Sequence, residues 1–207
     1  MPIPVYLQKY AVNPQTKKSH TAFDLRCTCG HELFHASRRT ETKEEKRLVK
    51  PYYDYLEFIY KCPRKYTIDE NKIVHYWHSE NGVWVEDNYP ERPFFAGIEV
   101  FRVTCAACGH EITVFDSRYH GYDALYCDGL TPEAKDYEPT LRPTGSRDGS
   151  PMRIALRLEH DESLDEFREN VGTEATPEEY ADAFTWIWIY GIGENGKKKK
   201  LFESETA

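Results

Sequence analysis

Four of the six cysteines in this 207-residue chain stand in two near-copies of one phrase. The first is Cys27-Thr28-Cys29-Gly30-His31-Glu32-Leu33 and the second Cys105-Ala106-Ala107-Cys108-Gly109-His110-Glu111-Ile112. Each puts two thiols on a turn. Glycine follows the second thiol, where the backbone can take positive φ at little cost and turn N–H groups toward sulfur. Four thiolates around one point make the tetrahedral site of a structural zinc ion, with about 2.3 Å to each sulfur. Cys27, Cys29, Cys105 and Cys108 are therefore the expected metal ligands and structural Zn2+ the expected cofactor. Such an ion contributes folding energy rather than catalysis.

His31 and His110 follow the two phrases at matching positions. Four thiolates already complete a zinc site, so each histidine is expected to donate a hydrogen bond beside it or to face solvent. Cys62, before Pro63, and Cys127, before Asp128-Gly129, are left over; they could meet as a second pair, but free thiols are the favoured reading.

A second phrase gathers reactive side chains, Phe115-Asp116-Ser117-Arg118-Tyr119-His120-Gly121-Tyr122-Asp123. An acid/base reading makes His120 the base, oriented by Asp116 or Asp123, because imidazole titrates near neutrality and a carboxylate can fix its tautomer. The plainer reading is a polar loop whose Asp and Ser cap turns and whose glycine allows a sharp bend. The plainer one is favoured. No nucleophile, open metal position or phosphate cradle completes a catalytic set, and no Gly-rich nucleotide loop, H-E-x-x-H or G-x-S-x-G occurs. No catalytic residue is assigned.

The two cysteine phrases resemble the knuckles of a zinc ribbon, a small β module in which two hairpin tips clamp one metal. The resemblance covers residues 27–30 and 105–109. It departs from the usual pattern in the single residue between Cys27 and Cys29 and in the length of chain between the knuckles, which makes the intervening segment an insertion. Zinc ribbons serve many tasks, so the resemblance implies a structural metal and little about activity.

Composition points to a β-rich α+β chain. Fifteen Tyr, ten Phe and four Trp against two Met favour strands over helical bundles. No apolar run reaches the roughly 20 residues that cross a bilayer, so no membrane partner is expected. The start, Met1-Pro2-Ile3-Pro4-Val5, lacks signal-peptide regions. A cytoplasmic location is expected, and a reducing compartment favours metal over disulfides for the paired cysteines.

The net charge of −8 is uneven: residues 1–65 carry 13 basic and 7 acidic side chains, and the remainder is acidic. Arg38, Arg39, Lys43, Lys46, Arg47 and Lys50 could attract phosphates. A solvated helix face is the favoured reading, since the acidic remainder would repel a polyanion.

Strands are expected at 5–12 and 21–27 around an Asn13-Pro14-Gln15 turn, with 33–36 returning antiparallel. Residues 41–49 read as a short helix stopped by Pro51. The aromatic stretch 52–60 and the Trp186/Trp188 pair could form an interaction surface, but core packing is favoured, with strand 186–190 buried on both faces. Asn81-Gly82 and Asn195-Gly196 each predict a hairpin. Strands at 98–104 and 111–115 flank the second knuckle. Thr176-Pro177-Glu178-Glu179 signals a helix start, and 164–170 a short helix. The linker composition of 139–151 suggests a boundary. The expected division is a zinc-binding β-rich domain at 1–138, a linker at 139–151 and a smaller α+β part at 152–207 docked on the first.

The leading expectation is a zinc-stabilised, non-catalytic binding or scaffold protein with a protein partner. The alternatives are a nucleic-acid-associated protein using the basic first third, which the net charge disfavours, and an enzyme centred on His120.

Overall fold

The computed structural model describes residues 3–17, 20–126, 131–146, 148–172 and 174–206. Twelve strands and five α-helices are present among them: β1 (Ala11–Thr16), β2 (His20–Leu25), β3 (Phe34–Arg39), α1 (Lys43–Lys61), β4 (Arg64–Ile68), β5 (Val74–Glu80), β6 (Val83–Glu86), β7 (Val100–Cys105), β8 (Glu111–Asp116), α2 (Tyr122–Tyr126), α3 (Pro132–Asp136), β9 (Leu141–Thr144), β10 (Arg153–Glu159), α4 (Leu164–Val171), α5 (Pro177–Asp182), β11 (Trp186–Ile192) and β12 (Lys198–Glu205). The chain is β-rich with antiparallel sheets and a small helical part. It divides into two compact units, residues 1–40 with 97–207, and residues 41–96.

The larger unit holds two sheets, one of five strands in the order β1-β2-β10-β11-β12 and one of four in the order β8-β7-β3-β9. Their inner faces share one core. Phe23 and Leu25 of β2, Leu156 and Leu158 of β10, and Ile187 and Ile189 of β11 meet Phe34 of β3, Phe101 and Val103 of β7, and Val114 and Phe115 of β8, all nearly or fully removed from water. Phe34 also joins the sheets through the backbone, exchanging two hydrogen bonds with Met152 at 2.9 and 3.0 Å.

Residues 152–207, expected as a docked part, supply three strands of the sheet that contains β1 and β2, and β10 pairs with β2 from Ala155↔Asp24 to Glu159↔His20. Residues 139–151, expected as a linker, include β9, the edge neighbour of β3. Pro143 lies within this edge strand, opposite Ser37, where a missing ladder donor is tolerated, and Gly145 and Gly149 take positive φ after it.

Residues 5–10 are a 3-10 helix, not the start of a strand. Leu7 and Tyr10 are the buried positions, a spacing of three that suits this helix. The Asn13-Pro14-Gln15 turn is instead an irregularity inside β1, with Asn13 at φ 53° and the register shifting between Val12 and Gln15. β1 is an edge strand, which accommodates Pro14.

In the smaller unit, α1 runs through Pro51 rather than ending there. The missing N–H removes one bond from the helix interior at a cost of about 3 kcal/mol. Opposing it are a capping box between Thr42 and Glu45, Lys50–Asp54 and Glu57–Lys61 pairs at i,i+4, and burial of Val49 and Ile59. The aromatic stretch 52–60 thus lies on a helix, and Tyr53, Phe58 and Tyr60 are exposed rather than core. β4, β5 and β6 form a three-stranded sheet. Its Asn81-Gly82 turn has both residues at positive φ, 51° and 82°, as a two-residue hairpin requires.

β11 lies between β10 and β12. Ile187 and Ile189 are fully buried, whereas Trp186 and Trp188 are half-buried on the other face, their rings 5.5 Å apart and 8° from parallel. The expectation of burial on both faces therefore holds for one face. Thr176 caps α5 through Glu179, as its sequence predicts.

Gly121 closes the fold at its C-terminal end. Its φ is +91°, and a Cβ there would sit 2.5 to 2.8 Å from the Thr206 side chain. The Asp123 N–H bonds the Thr206 carbonyl at 2.6 Å, so Thr206 cannot retreat freely. Gly121→Ala is expected to cost at least about 2 kcal/mol, from combined φ strain and overlap, measured by urea unfolding.

Candidate metal centre

The β3–β7 ladder brings the knuckles together. Its register opposes Phe34 to Cys105, so the exit of the first knuckle lies beside the second, and Ala106 N–H bonds the Leu33 carbonyl at 2.9 Å. Within each knuckle the chain turns on itself: Cys27 N–H bonds His31 O at 2.8 Å and Gly30 N–H bonds Cys27 O at 2.8 Å. The Cys105–His110 and Gly109–Cys105 bonds repeat this at 2.9 Å each. Gly30 and Gly109 have φ of 92° and 72°, and an added Cβ at either would meet nothing within 4 Å. Glycine is there for the backbone conformation, not for space.

The four sulfurs of Cys27, Cys29, Cys105 and Cys108 all lie within 4.8 Å of one another. Cys27 Sγ is 3.6 Å from Cys108 Sγ, and Cys29 Sγ is 3.6 Å from Cys105 Sγ. A disulfide needs about 2.05 Å. A tetrahedron with about 2.3 Å to each sulfur has edges of about 3.8 Å, which these separations approach. The arrangement is compatible with one metal ion. Cys27 and Cys105 are buried at the edge of the core, and Cys29 and Cys108 face outward.

Proton affinities in the cluster are split. Burial raises the Cys105 thiol, but the backbone N–H groups of Cys108 and Ala107 and the neighbouring thiols outweigh it and bring it down to about 6. The His110 backbone favours the Cys108 thiolate, yet its sulfur neighbours and burial push it up to about 12. The His31 backbone bond favours the Cys29 thiolate, as does the Cys108 thiol, but burial and the Cys27 and Cys105 sulfurs outweigh them and raise it. One thiolate forms readily and the next is resisted, as expected where several negative sulfurs converge.

The two histidines sit beside the sulfurs without completing the set. His31 Nδ1 is 3.7 Å from Cys29 Sγ, and His110 Nε2 is 2.9 Å from the Tyr10 hydroxyl. Cys62 donates to the Phe58 carbonyl at 3.4 Å and lies at the end of α1. Cys127 lies outside the described residues, and with it any pairing to Cys62. Of the basic residues named for the phosphate reading, Arg38 and Arg39 stand on β3 and Lys43, Lys46, Arg47 and Lys50 on α1. Arg39 Nη1 is spent on the Ile98 carbonyl at 2.8 Å.

The 115–123 phrase does not assemble as an acid/base pair. Asp116 is buried, and its carboxylate is clamped by Arg118 through Nε at 2.9 Å and Nη2 at 2.7 Å. Arg118 Nη1 reaches the carbonyls of Ala134, Lys135 and Tyr137. His120 takes the Asp116 backbone N–H on Nδ1 at 3.0 Å, which leaves the ring proton on Nε2. A neutral imidazole in that tautomer is a donor and has no free lone pair with which to act as base. Asp123 is exposed on α2, and its N–H bonds Thr206 O.

Arg118 as an anchor for α3, and the Tyr6 ring stacked 3.9 Å from His120 and 8° from parallel, were not visible in the sequence pattern. Both rest on contacts between distant segments. No helix among the described residues is long and apolar enough to cross a membrane.

Comparison with family models, with curated proteins and with solved structures yields no match for this chain.

Proposed function

We propose that Cys27, Cys29, Cys105 and Cys108 hold one structural zinc ion that ties the two knuckles of the larger unit, and that the protein is a non-catalytic binding protein of a reducing compartment, the cytoplasm. The observation that carries the metal reading is the convergence of four sulfurs within 4.8 Å at non-disulfide separations. An all-thiolate donor set suits zinc and leaves no open position for substrate. Unpaired thiols at this spacing persist where disulfides do not form.

A protein partner is favoured by the surface of residues 41–96. Tyr66, Ile68 and Val83 are 67 %, 60 % and 64 % exposed there, and exposed apolar and aromatic side chains are what interfaces cover. Nucleic acid is disfavoured by the net charge of −8.

The test is the metal content of the chain purified under reducing conditions with zinc present. One zinc per chain, released by a strong chelator together with loss of near-ultraviolet dichroism, is expected. Protein that is folded and metal-free after that preparation would overturn the reading.

A further inference from the structure

Away from the sulfurs, the larger unit has a cleft of about 520 Å³ between the 3-10 helix, β7–β8 and α3. That volume lies in the range of small-molecule sites, roughly 300–1,000 Å³. Its back wall is built rigidly. The buried Arg118–Asp116 pair and the three carbonyls held by Arg118 fix α3 against the end of β8, and Tyr119 adds a hydroxyl bond to the Lys135 carbonyl at 3.2 Å. His120, seated on Tyr6, presents a ring whose Nδ1 is already used, so its remaining polar atom is an Nε2–H donor.

The charges lining the cleft have a residual sign. Arg118 is matched by Asp116, and Arg102 lies 3.4 Å from Glu111. Lys9, Lys135 and Glu138 also line it; none of the three is in a salt bridge among the described residues, although the Glu138 carboxylate adds to Asp116 in favouring the Arg118 cation. The Lys9 ammonium lies over the Tyr10 ring, 4.8 Å from its centroid. Two ammonium groups against one carboxylate leave a net positive cleft in a chain of net charge −8.

We propose that this cleft binds a small anion, a carboxylate or a phosphate, held by Lys9 and Lys135 and by the neutral Nε2–H of His120. A neutral donor among cations recognises acceptor oxygens without needing protonation itself. Burial holds His120 down to about 4, so the donor keeps the same form across the neutral range. Glu138 keeps the excess charge small, which suits one anionic group and not a polyanion.

The experiment is a titration of the zinc-loaded full chain with sodium phosphate and, separately, with sodium succinate, each matched by sodium chloride. His120 imidazole nitrogen resonances report the site and calorimetry gives the affinity. Saturable shifts of the His120 signals in the millimolar range or tighter are expected, with binding weakened about tenfold in each of Lys9→Met and Lys135→Met, about 1.4 kcal/mol per lost charged hydrogen bond. Both lysine variants should melt as the parent does. His120→Phe keeps the ring on Tyr6 and removes the donor, and should also bind more weakly. Response to phosphate alone assigns a phosphate ligand, and response to succinate alone a carboxylate. Shifts no larger than those given by sodium chloride, or unchanged binding in both lysine variants, would overturn the proposal whatever the metal content proves to be.

Discussion

Cys105→Ser, or removal of the metal by chelation, is expected to lower the thermal unfolding midpoint by roughly 6–20 °C. Cys105 is 2 % exposed, opposes Phe34 across the β3–β7 ladder and belongs to the shared core. Losing one ligand or the ion leaves converging sulfurs without the cation that offsets their mutual repulsion. Zinc-finger peptides draw roughly 10–16 kcal/mol from their metal, but here a full apolar core supports the same unit, so a loss of about 3–5 kcal/mol is the reasonable share. In a chain of this size each 1 kcal/mol moves the midpoint by about 2–4 °C. Cys62→Ser is the control, expected to move it by less than about 3 °C because among the described residues the Cys62 thiol makes a single long bond, to one carbonyl. Calorimetric scans of the two variants decide the matter. Equal midpoints for Cys105→Ser and the parent would count against a metal at this position.

The larger unit is expected to lose stability as pH falls from about 6.5 toward 4, a window set by two buried histidines. Burial lowers both His120 and His160 to about 4. His160 donates Nε2–H to the Tyr180 carbonyl at 2.7 Å, packs 4.4 Å from the Tyr180 ring centroid and has a buried Nδ1 with no hydrogen-bond partner among the described residues. The unfolded chain titrates near 6.5, so between the two values it binds more protons than the folded chain, and stability rises with pH there and falls as acid is added. Each group contributes on the order of 2–3 kcal/mol across that window.

Residues 41–96 run the other way. His75 lies between Glu86 and Asp69, and His78 between Glu80 and Asp87, and these carboxylates raise both imidazoles. Their contribution is fully present below about 6.5 and is lost as pH rises through the raised values. Urea unfolding between pH 4.5 and 7 checks this, with His160→Gln as comparison. With a metal held by the four thiolates as proposed, their protonation in acid would release it and steepen the same slope. The histidine part is therefore the difference between parent and variant, and the His160→Gln curve should be flatter. Parallel curves would remove His160 from the account.

What the sequence revealed was local. The two knuckles, the Asn-Gly hairpins and the Thr176 cap each depend on a few neighbouring residues whose backbone needs are specific. Pro51 misled because its cost is local and certain, whereas the gains that offset it come from the whole of α1. Residues 5–10 misled because both a strand and a 3-10 helix accept their composition, and burial at spacing three was decided by distant partners. The sheet order could not be read at all. Pairing β10 with β2 joins residues far apart in sequence, and nothing between them announces it. The same holds for the loop at 115–123, where Asp116 and Arg118 carry the right types for chemistry and are consumed in holding α3. The cysteine cluster was legible because two cysteine pairs, each followed by a glycine that permits a tight turn, stand in near-identical phrases.

The most direct test of the central claim is X-ray absorption at the zinc edge of the purified protein. A shell of four sulfurs at about 2.3 Å, with no nitrogen or oxygen ligand, is the predicted result. A shell containing His31 or His110 nitrogen, or an absence of bound zinc, would contradict it.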